Sequence, residues 1–508
     1  MASAVVVGAG LGGLSAAIRL AVAGWSVDVY DKNAEVGGRM STVSAGEYRW
    51  DVGPTLIMMP EVLRELFAAA GRRLDEYVDL VRVDPYYRVA FEDGGHLDLT
   101  GHLPTMVANV EAIEAGGGAR YLRYLAAAEG LYRIARPSLI ERTFRGARDV
   151  PGVLGSLLRV RPADSVASMA ARHFRSPRLR RAFSFQTLYL GTRPERVPAA
   201  YVMIPFVEAA LGVWYPRGGV HTIAAAMARL AAELGVRVHL ERPVARIVTE
   251  GSRAVGVALG DGDVARADAV VANAEWGYTQ GTLLPRGERV AGRDWGCSGV
   301  LFLLAVRRRI EGPHHTFLLA DDFEGNLSDI FDRRRMPATP SIYVSRPTAT
   351  DPGLAPAGTE LLYVLVPAPT LASGVDWQAE TPVLRARVFD RLGALGLEGL
   401  ERDVVAEATL TPETFARRYN LTEGSAFGLA ATLFQSGPFR PTIRSRRWAG
   451  LYHVGASSHP GGGVPIVTLS GQLAAEAACE DVSRGRVPVR ERVPRPAVEA
   501  AWSGAVRS

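Results

Sequence analysis

The chain opens on four apolar residues, 4–7 (AVVV), that run straight into glycines. A short apolar run bounded by glycine predicts a buried strand. Gly8, Gly10 and Gly13 follow as G-x-G-x-x-G, with Gly12 as an extra glycine. Residues 14–23 have helical propensity, Gly24 stops them, and 27–30 form a second strand ending at Asp31. This strand–turn–helix–strand unit has the size and punctuation of a dinucleotide site. Gly8 permits the tight turn, Gly10 lets backbone approach a pyrophosphate, and Gly13 lets helix and strand pack closely. The helix start presents free N–H groups to phosphate. Asp31 is placed to accept hydrogen bonds from ribose hydroxyls, and its charge disfavours the 2′-phosphate of NADP. Gly37-Gly38-Arg39 adds a second close backbone approach and a fixed cation for phosphate.

Helical patterns alternate with short strands from about 61 to 138. From Arg133 to Arg196 there are fourteen arginines against four acids. The apolar stretch 197–213 follows, short for a membrane span and broken by Pro198, Pro205 and Glu208. A Pro-Arg-Gly-Gly turn at 216–219 opens a helix over 221–234. A strand pair at 237–240 and 245–248 comes next, then strands at 255–259 and 268–272. Strongly apolar runs at 300–306 and 361–366 predict a sheet in a second domain. A last strand, 451–454, leads into HPGGG and a helix over 467–479. Beyond about 481 the Arg- and Pro-bearing residues with Trp502 predict a loosely ordered tail.

Composition narrows this without changing it. Across 508 residues, 48% are hydrophobic and 22% charged, values of a globular protein able to bury its own core. The opening lacks a basic segment before its apolar run, so it reads as a strand and not a signal peptide. Cys297 and Cys479 offer at most one disulfide and no metal knuckle. We therefore expect reduced thiols, a cytoplasmic location and no metal. Cys297 begins an apolar strand and reads as core. A net charge of +5 is small for this length, and no nucleic-acid module appears, which excludes nucleic acid as a partner. Neither G-x-S-x-G nor H-E-x-x-H is present. His314-His315 sits in a Gly/Pro loop and reads as a solvated pair.

Longer stretches carry a more specific likeness: VVVGAGLGGLSAAIRLAVAGWSVDVYDKNAEVGGRM, DVGPTLIMMP, ERTFR at 141–145, AFSFQTLYLG at 182–191, GVWYPRGG, DDFEGN, DPGLAPAG, GSAFGL and HPGGGVPIV. On these, over about residues 3 to 480, the chain resembles the flavin-dependent carotenoid desaturases of the bacterial phytoene desaturase family. Within that family it is most similar to the diapophytoene (dehydrosqualene) branch. The resemblance implies an α/β fold. Its Rossmann-like FAD-binding domain, of the amine-oxidase and phytoene-desaturase type, would comprise 1–70, 215–285 and 445–480. An inserted α+β substrate domain would comprise 71–214 and 286–444, with a helical membrane-associating part at about 139–213, and 481–508 would be a tail.

The resemblance implies FAD as cofactor. Gly8, Gly10, Gly13, Asp31, Gly38 and Arg39 would hold its ADP half, and Lys32 is counted with them. Val244 would begin the strand that meets adenine through backbone. Gly53, Pro54 and Thr55 would run beside the flavin ring. Gly455 and Gly463 flank a loop from which a helix starting near Val464 would aim its positive end at the flavin pyrimidine. The wider superfamily often has an acid where this chain has Ala456, which leaves the ribityl partner unassigned. Desaturation removes a hydride and a proton from adjacent carbons, with flavin accepting the hydride. His459 is the one histidine placed to assist as acid or base. A lipophilic isoprenoid substrate implies a membrane surface as partner, with arginines at the headgroups and Phe144, Leu154, Leu157, Leu158 and Phe174 below them. The electron acceptor would be oxygen or a quinone. Carotenoid isomerisation, late 3,4-desaturation, amine oxidation and a non-enzymatic prenyl-lipid escort remain open on the same fold.

Overall fold

A computed structural model describes residues 1–489; Trp502 and the rest of 490–508 lie outside the described residues. The first apolar run becomes the middle strand of a five-stranded sheet. The order is Leu451–His453, Ala269–Ala272, Ser3–Val7, Ser26–Tyr30, Arg237–His239, with every pairing parallel. Ser3–Val7 is buried at each position because both faces of the sheet are covered. Ala4 and Val6 face helices Leu11–Val22, His221–Glu233 and Val464–Ser483, through Leu14, Ile18, Met227 and Leu473. Val5 and Val7 face Ile247, Val257 and Leu259 of a three-stranded antiparallel sheet. The first and last of these helices are tied together where Ser15 Oγ donates to the Thr468 carbonyl at 2.7 Å.

The expected pair at 237–240 and 245–248 is corrected here. Arg237–His239 is the edge of the parallel sheet, while Val244–Glu250 begins the antiparallel one. Glu241 adopts φ 55°, and the N–H groups of Glu241 and Arg242 bond the carbonyls of Asn33 and Asp31. That turn carries the chain out of the first sheet instead of folding it back as a hairpin.

The two long apolar runs form Ser298–Val306 and Glu360–Ala368, antiparallel neighbours within a seven-stranded sheet. Period-two alternation sorts the first of them. Leu301 and Leu303 join the cluster of Tyr124, Phe174 and Phe185 on the helical side, whereas Phe302 and Leu304 meet Trp377, Leu384 and Val388 on the other. Cys297, a buried free thiol, immediately precedes this strand.

Three further expectations change. His314 and His315 are 3% and 0% exposed, so they are core groups; His315 starts the sheet strand His315–Leu318. The last helix runs to Ser483, past the expected start of the tail, since its apolar face continues through Ala477, Ala478 and Val482. Phe144 and Phe174 are buried, in contact with His459 and with Tyr124 and Phe183, and cannot dip into a lipid surface. Among the described residues no helix is long and apolar enough to cross a membrane.

Candidate cofactor and substrate site

At the carboxyl ends of the parallel strands the glycine loop, the 31–39 segment and the last helix converge. Gly8 N donates to the Tyr30 carbonyl at 2.7 Å, and Gly37 N to that of Ala9 at 2.9 Å. The helices that begin at Leu11 and Val464 are capped by Gly10 and Gly463, and no side chain bonds their first-turn N–H groups. Two positively polarised helix starts without a side-chain cap, at the carboxyl end of one parallel sheet, make an anion site. A β-carbon at Gly13 would lie 2.2 Å from the Gly8 carbonyl oxygen, so only glycine lets this helix seat on its strand.

Asp31 is buried at the end of Ser26–Tyr30, its two oxygens accepting from Ala9 N at 2.7 Å and Asn33 N at 2.8 Å. Burial pushes its pKa up, against those two bonds. The Arg39 guanidinium donates to the Ala426 carbonyl at 2.9 Å and, among the described residues, has no carboxylate within ion-pair distance. Burial lowers its pKa. A desolvated cation with donors to spare beside bare helix ends fits the pyrophosphate of FAD. Arg242, whose N–H bonds the Asp31 carbonyl, stands two residues before Val244, at the start of Val244–Glu250. Lys32 points elsewhere: its ammonium donates to the Arg417 carbonyl at 2.9 Å and to Asn420 Oδ1 at 2.7 Å.

Around the other half, Tyr363 OH donates to the Gly53 carbonyl at 3.0 Å, and Thr55 Oγ1 lies 2.6 Å from Tyr343 OH. Pro54 and Thr55 line a cavity with Tyr215 and Tyr363. Gly455 N donates to Ser470 Oγ at 3.0 Å. His459 is 1% exposed, and its Nε2 lies 2.7 Å from the Arg142 carbonyl. A carbonyl only accepts, so that nitrogen carries the proton and Nδ1 is left without a partner. Burial lowers the imidazole pKa to about 4. The apolar cavity beyond is lined by neighbouring Pro460.

That cavity holds about 990 Å³ of space continuous with solvent. Leu139, Ile140, Met203, Leu429 and Phe439 form part of its wall, and Gly461 and Gly462 close it toward the last helix. The one charged side chain in the wall is Arg440. Its donors go to the carbonyls of Ser458, Gln435, Leu429 and Ala456, at 2.5–3.2 Å, so every nitrogen is engaged in tying residues 429–435 to 456–458.

Arg440 and Asn273 escaped the sequence reading. Asn273 follows strand Ala269–Ala272, and its Nδ2 donates to the Gly8 carbonyl at 3.2 Å. A polar residue directly after a buried parallel strand was the available signal. Arg440 looked like one more arginine in an arginine-rich chain.

Comparisons agree with this architecture. The family model for flavin containing amine oxidoreductase matches residues 11–479. An oxidoreductase structure from Methanosarcina mazei superposes with TM-score 0.63 at 19% identity, covering 93% of this chain and 100% of that one. Cyclohexylamine oxidase from Brevibacterium oxydans does so with TM-score 0.58 at 17% identity, covering 95% and 100%. A zeta-carotene-forming phytoene desaturase of Myxococcus xanthus is 42% identical over 480 residues, 93% of each chain. A 4,4′-diapophytoene desaturase of Staphylococcus haemolyticus is 35% identical over 499 residues, 95% of this chain and 99% of that one. The chain belongs to the flavin-containing amine oxidoreductases and, within them, to the bacterial carotenoid desaturase family. It is an FAD-dependent oxidoreductase. The likeness spans both the phytoene and the diapophytoene branch.

Proposed function

We propose that the chain desaturates a linear isoprenoid of the phytoene or diapophytoene type, acting on CH–CH groups. The observation that carries this is the apolar cavity whose wall runs to Gly461 and Gly462, at the uncapped start of the last helix. An ammonium substrate would find no carboxylate in that wall, which disfavours amine oxidation. Bound FAD supplies the hydride acceptor. Gly8, Gly10, Gly13, Asp31, Gly38 and Arg39 hold its ADP half, Val244 borders the adenine, and Gly53, Pro54, Thr55, Gly455, Gly463 and Val464 border the ring and ribityl chain. The intact cation and glycine loops favour an enzyme over a lipid escort.

The apolar wall excludes water and holds the chain extended. The helix end at Val464 favours negative charge where hydride arrives. Arg440 holds the loops of the wall in register, and His459 bonds the Arg142 carbonyl while its ring packs edge-on against Phe144 at 5.0 Å. Its free Nδ1 lone pair is the group we assign to accepting a proton.

The parallel sheet with its helices serves as the FAD domain, and the seven-stranded sheet with residues 71–214 and 286–444 as the substrate domain. The segment 139–213 meets a membrane. Leu154 and Leu158 are 49% and 65% exposed on helix Val150–Arg159, and Leu157 and Val160 beside them line the cavity. Phe434, 74% exposed, follows Leu433 in the same wall. Among the described residues Arg142, Arg145, Arg148 and Arg159 have no ion-pair partner, so they are available to anionic headgroups. The protein is read as cytoplasmic and peripheral.

Anaerobic mixing of the yellow holoprotein with phytoene or diapophytoene in anionic vesicles should bleach the flavin absorbance. Holoprotein that stays yellow with both would overturn the assignment.

A further inference from the structure

Glu275 stands three residues beyond strand Ala269–Ala272 and is 7% exposed. Its Oε2 accepts from Tyr278 N at 3.1 Å, capping the short helix Trp276–Tyr278, and from Thr422 Oγ1 at 2.7 Å. Its Oε1 is buried and, among the described residues, has no hydrogen-bond partner. A cap needs one carboxylate oxygen, and burying the second one bare costs its lost hydration. Capping therefore does not account for this side chain.

The surroundings put that oxygen at the cofactor cleft. Asn273, two residues earlier, donates to the Gly8 carbonyl, and a β-carbon at Gly455 would lie 3.3 Å from its Oδ1. The chain leading to Glu275 thus bridges the glycine loop and the Gly455 loop. Across from it, the segment that holds Thr422 continues to Ala426, whose carbonyl accepts from Arg39. Arg440 donates to the carbonyl of Ala456, beside Gly455. Burial lowers the pKa of both arginines and the Glu275 charge opposes it at each, so the carboxylate is within electrostatic reach of both.

We propose that Glu275 is a cofactor-positioning residue whose Oε1 accepts a hydrogen bond from a hydroxyl of the FAD ribityl chain. Ala456 left that chain without a side-chain partner. A carboxylate only accepts, and phosphate repels it, so the group it meets is a neutral donor. The adenosine ribose belongs with Asp31 on strand Ser26–Tyr30, whereas Glu275 follows Ala269–Ala272 on the other side of Ser3–Val7. On that side the hydroxyls between pyrophosphate and ring are those of the ribityl chain. Holding one of them fixes how far the ring reaches past Gly455 toward the apolar cavity. The proposal needs FAD in the cleft and does not depend on the identity of the substrate.

Release of FAD from diluted holoprotein, followed by the fluorescence of the freed flavin, tests this with no substrate present. Glu275→Gln keeps an oxygen for Tyr278 and Thr422 and puts an amide donor in place of Oε1. It should release FAD about tenfold faster or more. Glu275→Asp retains a good helix cap but withdraws the carboxylate, and should speed release several-fold should the amide variant not fold. Native protein reloaded with FAD analogues lacking the 2′, 3′ or 4′ ribityl hydroxyl should release one of the three as fast as Glu275→Gln releases FAD. Neither variant should speed the release of that one analogue further. Unchanged FAD release in both variants would overturn the proposal. So would equal acceleration for FAD and all three analogues, which would reduce Glu275 to a helix cap. Anaerobic bleaching by isoprenoid is read separately, so its failure sinks the desaturase reading and leaves this measurement standing.

Discussion

A β-carbon at Gly10 would meet not open space but the Asn273 amide, 2.7 Å from its Nδ2. Gly10 leaves room for a pyrophosphate on one side, and Asn273 already fills the other. Gly10→Leu must therefore displace Asn273 from the Gly8 carbonyl as well as crowd the phosphates. Purified Gly10→Leu should retain less than about a tenth of the flavin of the native protein, read by the ratio of visible to ultraviolet absorbance. Full loading would show the pyrophosphate does not lie there. His459 allows a second prediction. His459→Ala removes both the Arg142 contact and the free Nδ1, and bleaching should slow at least tenfold. His459→Asn keeps an amide donor for the carbonyl, so it should recover the wall geometry but not the rate if Nδ1 accepts the proton. Rescue of both would reduce the residue to positioning. Asp31 and Arg39 were legible because strand, turn and charge occur within one local unit. Arg440 was not, because its acceptors come from positions 429, 435, 456 and 458, which only the folded chain brings together.

Elements read well where one period dominates. The strands at 3–7, 298–306 and 360–368 are apolar runs too short and too β-branched or leucine-rich for anything else, and each lies within a sheet. The segment 139–213 read less clearly, because a buried aromatic and a lipid-facing one look alike in sequence. Phe144 and Phe174 turned inward to His459 and the Tyr124 cluster, while Leu154 and Leu158 stayed outside. Helix Val150–Arg159 accordingly has one edge in the cavity wall and another in solvent. On the proposed docking, two exposed leucines and Phe434 would leave water, worth on the order of 1.5–3 kcal/mol for each fully buried side chain. Leu154→Glu with Leu158→Glu should abolish flotation with anionic vesicles at low salt while leaving flavin content unchanged. Flotation as strong as that of the native protein would remove this helix from the membrane contact.

The whole molecule carries titrating groups that burial has moved in opposite directions, and these set its stability against pH. Glu208, wholly buried on helix Met203–Leu211, accepts from Tyr87 OH at 3.0 Å. Burial pushes its pKa up to about 8. Its folded value exceeds its unfolded one, so its contribution is complete below the usual carboxylate range and is lost as pH rises toward 8. Burial lowers His453 and His459 to about 4, which has the opposite sign. Their contribution is complete above the ordinary imidazole value and is lost as pH falls from about 6.5 toward 4. Each group contributes a slope of about 1.4 kcal/mol per pH unit inside its window. Below about pH 6.5 the two histidines outweigh the single acid, and above it the acid acts without them, so stability from these groups peaks near pH 6.5. Urea midpoints, followed by flavin release, should fall from pH 6.5 to 8 in the native protein. Glu208→Gln keeps an acceptor for Tyr87 and has no proton to lose, so that decline, about 2 kcal/mol, should vanish while the acid limb stays. An equal decline in both proteins would mean that Glu208 ionises in the fold as it does in water, and the interior around Tyr87 would have to be wetter than its burial indicates.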